Sequence, residues 1–307
     1  MRSTLAVILM CLILMCLILC PPAIAASPVI IDTDAGSDDL LAIAFLLARE
    51  DVKIEAITVA NGLAHVRNGG EIVLRLLDLA GQRDVPVYLG RDQPLRGTNE
   101  FPKEWRDKSD RIPGVRLPAL SRKPEAEPAA AFLARRFANG QPKARILALG
   151  PLTNLAPAFT LGKPAPHNVE EIVIMGGAMR VPGNLGDGGY FKTENRTAEW
   201  NLFVDPLAAA QVFASRARLR VVPLDATNRV PVDADFLREM NANAKTALGR
   251  FVVEVLEPER KYIEEKIYFA WDPLAAAALV DPGVVKTTRM AIAVQTQGSN
   301  EGQTATL

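Results

Sequence analysis

Four aspartates lie between two apolar runs near the start of the chain: Asp32, Asp34, Asp38 and Asp39. The run before them, 29–31, is typical of a buried strand, and the run after them, 40–47, is typical of a buried helix. A chain that turns from a strand directly into a helix holds the intervening side chains at the carboxyl end of the strand, where open parallel sheets bind ligands. Crowded carboxylates repel one another unless protons or a cation offset their charge. Oxygen ligands favour a hard cation such as Ca²⁺ or Mg²⁺.

An acidic helix start accounts for only part of this segment. The last two aspartates suit the first turn of a helix, where acidic residues meet the positive end of the dipole, but that does not explain the first two. An EF-hand loop fails because Gly36 falls one position early and Ile43 replaces the bidentate glutamate. An aspartyl-phosphate phosphatase could use the first two aspartates, but Ala35-Gly36 replaces the Gly-Thr that usually follows them.

Residues 1–25 are predicted to be a secretory signal peptide. Residues 5–19 are apolar and uncharged, Arg2 precedes them, and Ala23-Ile24-Ala25 offers a small-residue cleavage site. Because the apolar run is short for a membrane span, we expect an exported protein, periplasmic or secreted, with no membrane partner after cleavage. All three cysteines lie in this segment, so the mature chain has no disulfide, thiolate metal site or cysteine nucleophile.

The remaining segment, 26–307, is predicted to form a single domain, because about 280 residues suffice for one large core. Lysine and arginine together number 35, and so do aspartate and glutamate. This balance provides no broad basic surface, so we expect no nucleic-acid partner.

Strand-like and helix-like segments alternate along the chain. The predicted strands are 29–32, 54–60, 85–89, 145–149, 171–175 and 219–223. The predicted helices are 38–49, 69–80, 127–139, 153–159 and 205–215. Apolar strands between helices predict an α/β fold, with an open, mostly parallel, Rossmann-like sheet and helices on both faces. The segments 91–124 and 176–199 are predicted to be long loops.

Polar residues collect immediately after the predicted strands. Asn61-Gly62 follows the second strand, residues 150–154 (Gly-Pro-Leu-Thr-Asn) follow the fourth, and Met175-Gly176-Gly177 ends the fifth. Because the carboxyl ends of parallel strands share one edge of a sheet, these segments and the aspartates should meet there. The sequence therefore predicts a ligand site at the carboxyl ends of the strands.

Two tryptophan motifs can each be explained by folding alone. In Trp271-Asp272-Pro273, aspartate is a good N-cap and proline suits the first helical position, although a ring beside a carboxylate also suits a flat base joined to a polyol. In Glu199-Trp200-Asn201 the polar groups could bind hydroxyls, and the tryptophan could equally pack the loop. His65 and His167 are too few to define a Ser-His-Asp triad.

Taken together in order and spacing, these motifs resemble the inosine-uridine nucleoside hydrolases. The matching segments run from 29 to the end: 32–39, 57–59, 150–154, 174–177, Gly183-Asn184, 198–201, Asp272 and 297–304. The family usually has proline where Ala35 stands, and Gly-Asn where this chain has Asn61-Gly62.

The resemblance implies cleavage of the N-glycosidic bond of ribonucleosides with one bound Ca²⁺. It implies that Asp34, Asp39, Asp272 and the backbone carbonyl of Thr153 hold the metal. Asp34 would also act as the general base for water on the metal. Asp38, the second catalytic aspartate, would hold a ribose hydroxyl. We further expect a homo-oligomer, either a dimer or a tetramer.

The resemblance also implies the substrate contacts. Ribose hydroxyls would be bound by Asn184, Glu199 and Asn201, while further contacts would come from Asn61, Met175, Trp200 and Trp271.

Many family members have histidine where Trp271 stands. A tryptophan at this position resembles the purine-preferring subgroup, in which aromatic rings enclose the base. The resemblance to this subgroup implies a role in purine salvage. Trp105 is a candidate for a second ring. The alternatives are a hydrolase of the same fold acting on another ribosyl substrate, and an inactive secreted protein that binds nucleosides or ribose.

Overall fold

A six-stranded parallel sheet forms the centre of the protein. The computed structural model describes residues 27–138, 141–161, 165–186, 189 and 191–306. The strand order in the sheet is β3-β2-β1-β4-β5-β6, and every neighbouring pair is parallel. The strands are β1 (Val29–Thr33), β2 (Ile54–Val59), β3 (Val87–Leu89), β4 (Ala144–Ala148), β5 (Val169–Met175) and β6 (Leu219–Val222). This arrangement confirms the predicted open parallel α/β sheet.

Thirteen α-helices in the described ranges surround the sheet or connect its strands. They are α1 (Ser37–Leu47), α2 (Val66–Leu79), α3 (Lys103–Arg111), α4 (Ala129–Arg136), α5 (Leu155–Leu161), α6 (Ala165–Asn168), α7 (Trp200–Val204), α8 (Pro206–Phe213), α9 (Leu224–Thr227), α10 (Ala234–Asn243), α11 (Ala247–Leu256), α12 (Arg260–Glu264) and α13 (Trp271–Val280). Glu257–Glu259 and Pro282–Val284 are 3₁₀ helices, and β7 (Ile292–Val294) pairs antiparallel with β8 (Thr304–Thr306).

The sheet divides the core into two apolar layers, as the two-residue period of a strand requires. In β1, Val29 and Ile31 face the layer formed with α1, α2, α11 and α13, whereas Ile30 faces the layer formed with α4, α5 and α8. Both faces of the sheet are therefore covered, and its carboxyl edge remains available for ligands.

The structure differs from the predicted elements chiefly in the loops. The segment 91–124 contains helix α3, which begins after Pro102 and carries Lys108 and Arg111 in its last turn. Helix α4 is shorter than the predicted 127–139, because its N-cap is Pro128 and it ends at Arg136. Helices α10 to α12 were not predicted from the sequence.

The predicted signal peptide lies outside the described residues, so its export role stays a prediction. Within the described ranges, no helix combines the length and the apolar character that crossing a membrane requires.

Candidate active site

One pocket opens at the carboxyl edge of the sheet and collects most of the predicted site residues. Its lining includes Asp34, Asp38, Asp39, Met175, Asn184, Glu199, Trp200, Asn201, Trp271 and Asp272. Thr153 and Asn61 are not among the lining residues, and both are buried. The fold therefore brings to one pocket side chains that are up to 238 positions apart, from Asp34 to Asp272.

The acidic turn between β1 and α1 is held together by Asp39. Its Oδ1 accepts hydrogen bonds from the Thr33 hydroxyl and from the backbone N–H of Asp34, the latter at 3.1 Å. Its Oδ2 accepts from the backbone N–H of Gly36 at 3.1 Å. The carboxylate of Asp39 therefore folds back over the turn and fixes the position of Asp34.

The same turn contains a strained residue, Ala35, with φ of 58°. A left-handed alanine costs about 1–2 kcal/mol, and such strain is typical of functional sites. Two glycines let the backbone approach Asp34 closely, since a Cβ at Gly62 would lie 1.9 Å from Asp34 Oδ2 and one at Gly150 would lie 2.9 Å from Asp34 Cβ. Asp34 Oδ2 also accepts from the backbone N–H of Leu63 at 2.9 Å.

Three carboxylates lie close enough to hold one cation. Asp38, Asp39 and Asp272 each offer an oxygen, and these atoms lie within 4.8 Å of one another. Asp272 is 1% exposed, and neither of its oxygens has a hydrogen-bond partner among the described residues. The N-cap of α13 is Ala270, so the interpretation of Asp272 as an N-cap is wrong.

Without a cation, the surroundings of these carboxyl groups disfavour the ionisation of all of them at once. Burial, followed by the charge of Asp39, raises the pKa of Asp34 well above its usual value and raises that of Asp38 to about 8. Burial, followed by the charge of Asp38, raises the pKa of Asp272. A hard cation among these oxygens would offset the repulsion and give Asp272 the partner it lacks, so the residues present fit a divalent metal.

The geometric trio differs from the predicted ligand set in one position, because it contains Asp38 rather than Asp34. Thr153, the predicted carbonyl ligand, is buried beside the site, and its hydroxyl donates to Asp205 Oδ2 at 2.9 Å. This bond joins the β4–α5 turn to the N-terminus of α8, where Asp205 is the N-cap.

Glu199 and Asn201 are held by backbone groups near the ends of β4 and β5. Glu199 is the N-cap of α7, with Oε1 accepting from Asn201 N at 2.9 Å and Oε2 accepting from Gly177 N at 3.0 Å. The Asn201 amide donates to the carbonyls of Leu149, at 2.6 Å, and Met175, at 3.2 Å. The ends of β4 and β5 are thereby tied to α7, and both side chains line the pocket.

Asn184 completes this polar side. Its Oδ1 accepts from the backbone N–H of Trp200 at 3.2 Å. The amide nitrogen of an asparagine whose oxygen is occupied in this way can donate to a ligand.

Aromatic rings form the remaining wall. Trp200 is 4% exposed and stacks on Phe101 at a centroid distance of 4.9 Å, with Trp105 edge-on at 5.6 Å. Trp271 meets Tyr268 edge-on at 5.2 Å. Trp200 therefore packs its loop and lines the pocket at once, and Trp105 and Trp271 both lie along the lining.

Asn61, which the resemblance predicts to contact the substrate, is hydrogen-bonded to an arginine of α3. Its Oδ1 accepts from Arg106 Nη2 at 2.7 Å, and Arg106, which is 5% exposed, also donates to Glu100 at 2.7 Å. His65 lies on the surface, where its Nδ1 pairs with Asp110 at 2.6 Å. Both contacts tie α3 to the segment that follows β2.

Several lining residues were missed from the sequence: Ser37, Leu63, Lys108, Ser109, Glu259, Tyr262, Ile267 and Tyr268. Most lie on α3 or between α11 and α13, which carry no recognisable motif. Only their helical spacing offered a signal, since Lys108 follows Trp105 by three residues and so lies on the same face of α3.

Known proteins resemble this chain in sequence and in fold. The family model described as inosine-uridine preferring nucleoside hydrolase matches residues 29–307. Uridine nucleosidase 1 of Arabidopsis thaliana is 32% identical over 280 residues, covering 90% of this chain and 80% of that protein. A solved plant nucleoside hydrolase has a TM-score of 0.80 and 32% identity, covering 94% of this chain and 87% of its own.

A further solved structure, a purine-preferring ribonucleoside hydrolase from Gardnerella vaginalis, has a TM-score of 0.75 and 27% identity, covering 91% of this chain and 88% of its own. Sequence and fold therefore agree along nearly the whole chain. The protein belongs to the inosine-uridine preferring nucleoside hydrolase family, and its reaction is the hydrolysis of a ribonucleoside.

Proposed function

We propose that this nucleoside hydrolase depends on Ca²⁺ and prefers purine ribonucleosides. The observation that carries the proposal is a single pocket with buried carboxylates at one end, among them Asp272 with two unpartnered oxygens, and tryptophans along its wall.

The residues that would hold the cation are Asp34, Asp39, Asp272 and the Thr153 carbonyl, with Asp38 close enough to add an oxygen. When bound, the cation supplies a Lewis acid that lowers the pKa of a water and orients hydroxyl groups. Asp34 accepts the proton of the attacking water, since it lines the pocket and the absence of side chains at Gly62 and Gly150 leaves room for it there.

The ribose is bound by polar groups that the backbone already holds in place. Asp38, Asn184, Glu199 and Asn201 line the pocket and bind hydroxyls. Glycosidic cleavage passes through a transition state with positive charge on the sugar ring. Fixed carboxylates stabilise that charge more than they stabilise the neutral substrate.

The base is bound by the aromatic wall. A purine offers a larger face for stacking than a pyrimidine, so Trp271 and the Trp105–Trp200 pair favour it. The described lining residues include no histidine, and stacking makes a purine easier to protonate as it leaves, so no separate acid is required. The relatives are named for both uridine and purine substrates, so the preference rests on this pocket alone.

The test measures free ribose released by the purified mature protein from inosine, adenosine, guanosine, uridine and cytidine, with and without a Ca²⁺ chelator. We expect purine-selective release that the chelator abolishes and Ca²⁺ restores. Pyrimidine-selective release would overturn the base preference, and chelator-resistant release would overturn the metal. No release by a folded, Ca²⁺-bound protein would favour a binding protein or another ribosyl substrate.

We also propose export, on the basis of residues 1–25. Expression of the full chain should yield a mature protein that begins near Ala26, as measured by mass spectrometry of the periplasmic and extracellular fractions. A full-length chain confined to the cytoplasm would contradict export. The homo-oligomer stays a prediction.

A further inference from the structure

The pocket contains an ion pair that the reaction does not use. Lys108 on α3 and Glu259 in the 3₁₀ helix before α12 both line the pocket, and Lys108 Nζ donates to Glu259 Oε2 at 2.7 Å. Lys108 also donates to the Pro258 carbonyl at 3.1 Å. Polar groups in the wall of a largely apolar binding site are few, and they fix the orientation of the ligand.

The pair has hydrogen-bonding capacity for a ligand. The Glu259 side chain is 10% exposed and that of Lys108 is 33% exposed. A carboxylate accepts at about four lone-pair positions on two oxygens, and the bond from Lys108 takes one of those on Glu259. An ammonium has three N–H donors, and Lys108 directs two of them at Glu259 and Pro258. The pair can therefore present a donor and an acceptor side by side at the pocket wall.

The pair lies among the rings that would hold the base. Lys108 follows Trp105 by one helical turn on α3, and its ammonium lies 5.7 Å from the centroid of the Tyr262 ring. Glu259 precedes Tyr262 by three residues, and all four side chains line the pocket. A base stacked on this wall would present its edge to the pair.

We propose that Lys108 and Glu259 read the Watson–Crick edge of the base and select 2-amino-6-oxopurine nucleosides, that is, guanosine. This inference rests on the proposed hydrolysis of purine nucleosides. The O6 acceptor of guanine lies beside its N1–H and 2-amino donors. Lys108 donates to O6, and Glu259 accepts from N1–H and the 2-amino group, so each partner matches one half of the edge.

Other bases match the pair less well. Hypoxanthine lacks the 2-amino group and loses one hydrogen bond to Glu259. Adenine carries an amino donor at position 6, opposite the ammonium, and an N1 acceptor opposite the carboxylate, so both contacts become unfavourable. Sites that hydrogen-bond a substrate group discriminate strongly against analogues that lack it, because their own polar groups are then left unpaired.

The decisive variant is Glu259→Gln. The glutamine oxygen still accepts from Lys108 and preserves the contact with α3. The glutamine nitrogen replaces the second carboxylate oxygen, so a donor instead of an acceptor faces the 2-amino group. We expect the wild-type kcat/KM for guanosine to exceed that for inosine by about tenfold or more, and this ratio to fall to about 1 in Glu259→Gln. Lys108→Met should reduce guanosine and inosine cleavage together, since both bases have O6.

The matched controls are Lys103→Met and Glu264→Gln. Lys103 pairs with Asp107 on the same helix at 2.6 Å, and Glu264 lies in α12; both are exposed, and neither lines the pocket. Both variants should keep the wild-type ratio. An unchanged ratio in Glu259→Gln would overturn the proposal and leave the pair as a tie that holds α3 in place.

A binding measurement makes this test independent of turnover. Quenching of tryptophan fluorescence reports the affinity of 9-methylguanine, 9-methylhypoxanthine and 9-methyladenine for the base end of the pocket. The wild type should bind 9-methylguanine most tightly, and Glu259→Gln should lose that preference. If nucleosides are not hydrolysed but this order holds, the proposed function fails and the base selection stands. Equal affinity of the wild type for all three overturns the selection.

Discussion

The two ends of the pocket are built in different ways. At the acidic end, Asp39, Glu199 and Asn201 are fixed by backbone groups at the ends of strands and at helix N-termini. At the base end, Lys108 and Glu259 are held mainly by each other and lie on helices outside the sheet. The groups that must meet the reacting atoms therefore lie at the edge of the sheet, whereas the groups that we propose to choose the base lie on helices outside it.

The largest effect is expected at the acidic end, from Asp272→Asn. Because both Asp272 oxygens are buried without a partner among the described residues, the variant should lose Ca²⁺ affinity and reduce ribose release by about 10²-fold or more. In the metal-free protein it should be neutral or stabilising, because it removes a repelled buried charge. Calorimetric titration with Ca²⁺, ribose release and the Tm in chelator measure these three outcomes.

Asp205→Asn is the matched control for that variant. Asp205 is also buried, but its oxygens accept from Ala208 N, Leu95 N and the Thr153 hydroxyl, so its replacement should lower the Tm. If Asp272→Asn lowered the metal-free Tm as much as Asp205→Asn, the acidic end would be an ordinary hydrogen-bonded core.

The next effect is expected from Trp271→Ala, in the aromatic wall of the pocket. Loss of stacking should reduce kcat/KM for inosine and guanosine by about 10–100-fold, while uridine cleavage falls much less. Trp271→Phe, which keeps a ring, should recover most of the loss. Equal losses for all nucleosides would mean that Trp271 only packs against Tyr268 and Phe269.

A smaller effect is expected from Arg106→Met, which should weaken substrate binding at the base end more than it slows the reaction at the acidic end. Arg106→Met removes the hydrogen bonds from α3 to Asn61 and Glu100. The buried Asn61 oxygen then loses this partner, which costs about 1–3 kcal/mol. Since α3 carries Trp105 and Lys108, we expect KM to rise by about tenfold, with kcat within about threefold of wild type because the acidic end is intact.

Arg111→Met, an exposed arginine on the same helix, is the control and should leave both constants unchanged. A fall in kcat at constant KM for Arg106→Met would show that the two ends are not separable.

The smallest effect on rate is expected from Asp32→Asn, beneath the acidic end. Burial raises the pKa of Asp32 from 3.8 to about 7, although Asn154 and Thr58 donate to its Oδ1. A carboxyl group whose pKa is raised by folding stabilises the fold fully when the pH is below the pKa that the group has in the unfolded chain. This stabilisation is lost as the pH rises towards the pKa that the group has in the folded protein. In chelator, the Tm of Asp32→Asn relative to wild type should therefore rise between about pH 4 and 7 and level off above. A constant difference would contradict the raised pKa.

The sequence predicted more of the acidic end of the pocket than of the base end. Strand alternation and the loops after each strand were enough to place Asp34, Glu199 and Asn201 together, because parallel strands bring their carboxyl ends to one edge whatever the details of packing. The base end depends on how α3 and the segment 257–271 fold back over the sheet. No local pattern reports such long-range packing, so Glu259 and Tyr268 could not be assigned to the pocket.

Asp272 shows a limit of local rules. Trp271-Asp272-Pro273 fits the preferences of a helix start, yet α13 begins at Trp271, which is too early for a cap at Asp272, and the carboxylate faces the acidic turn. The local pattern therefore gives no sign that this aspartate joins Asp38 and Asp39, which only the family resemblance and the structure indicate.

The left-handed conformation of Ala35 bears on how this enzyme could be stabilised by engineering. Replacing a residue with the commonest one in its family often raises stability, and here the usual residue is proline. The proline ring holds φ near −65°, whereas the backbone at position 35 has φ of 58°. The consensus substitution would force the acidic turn to rebuild, while glycine, which the consensus does not suggest, would release the strain. At this position the backbone that this chain adopts, rather than the residue usual in the family, should guide the choice of a stabilising substitution.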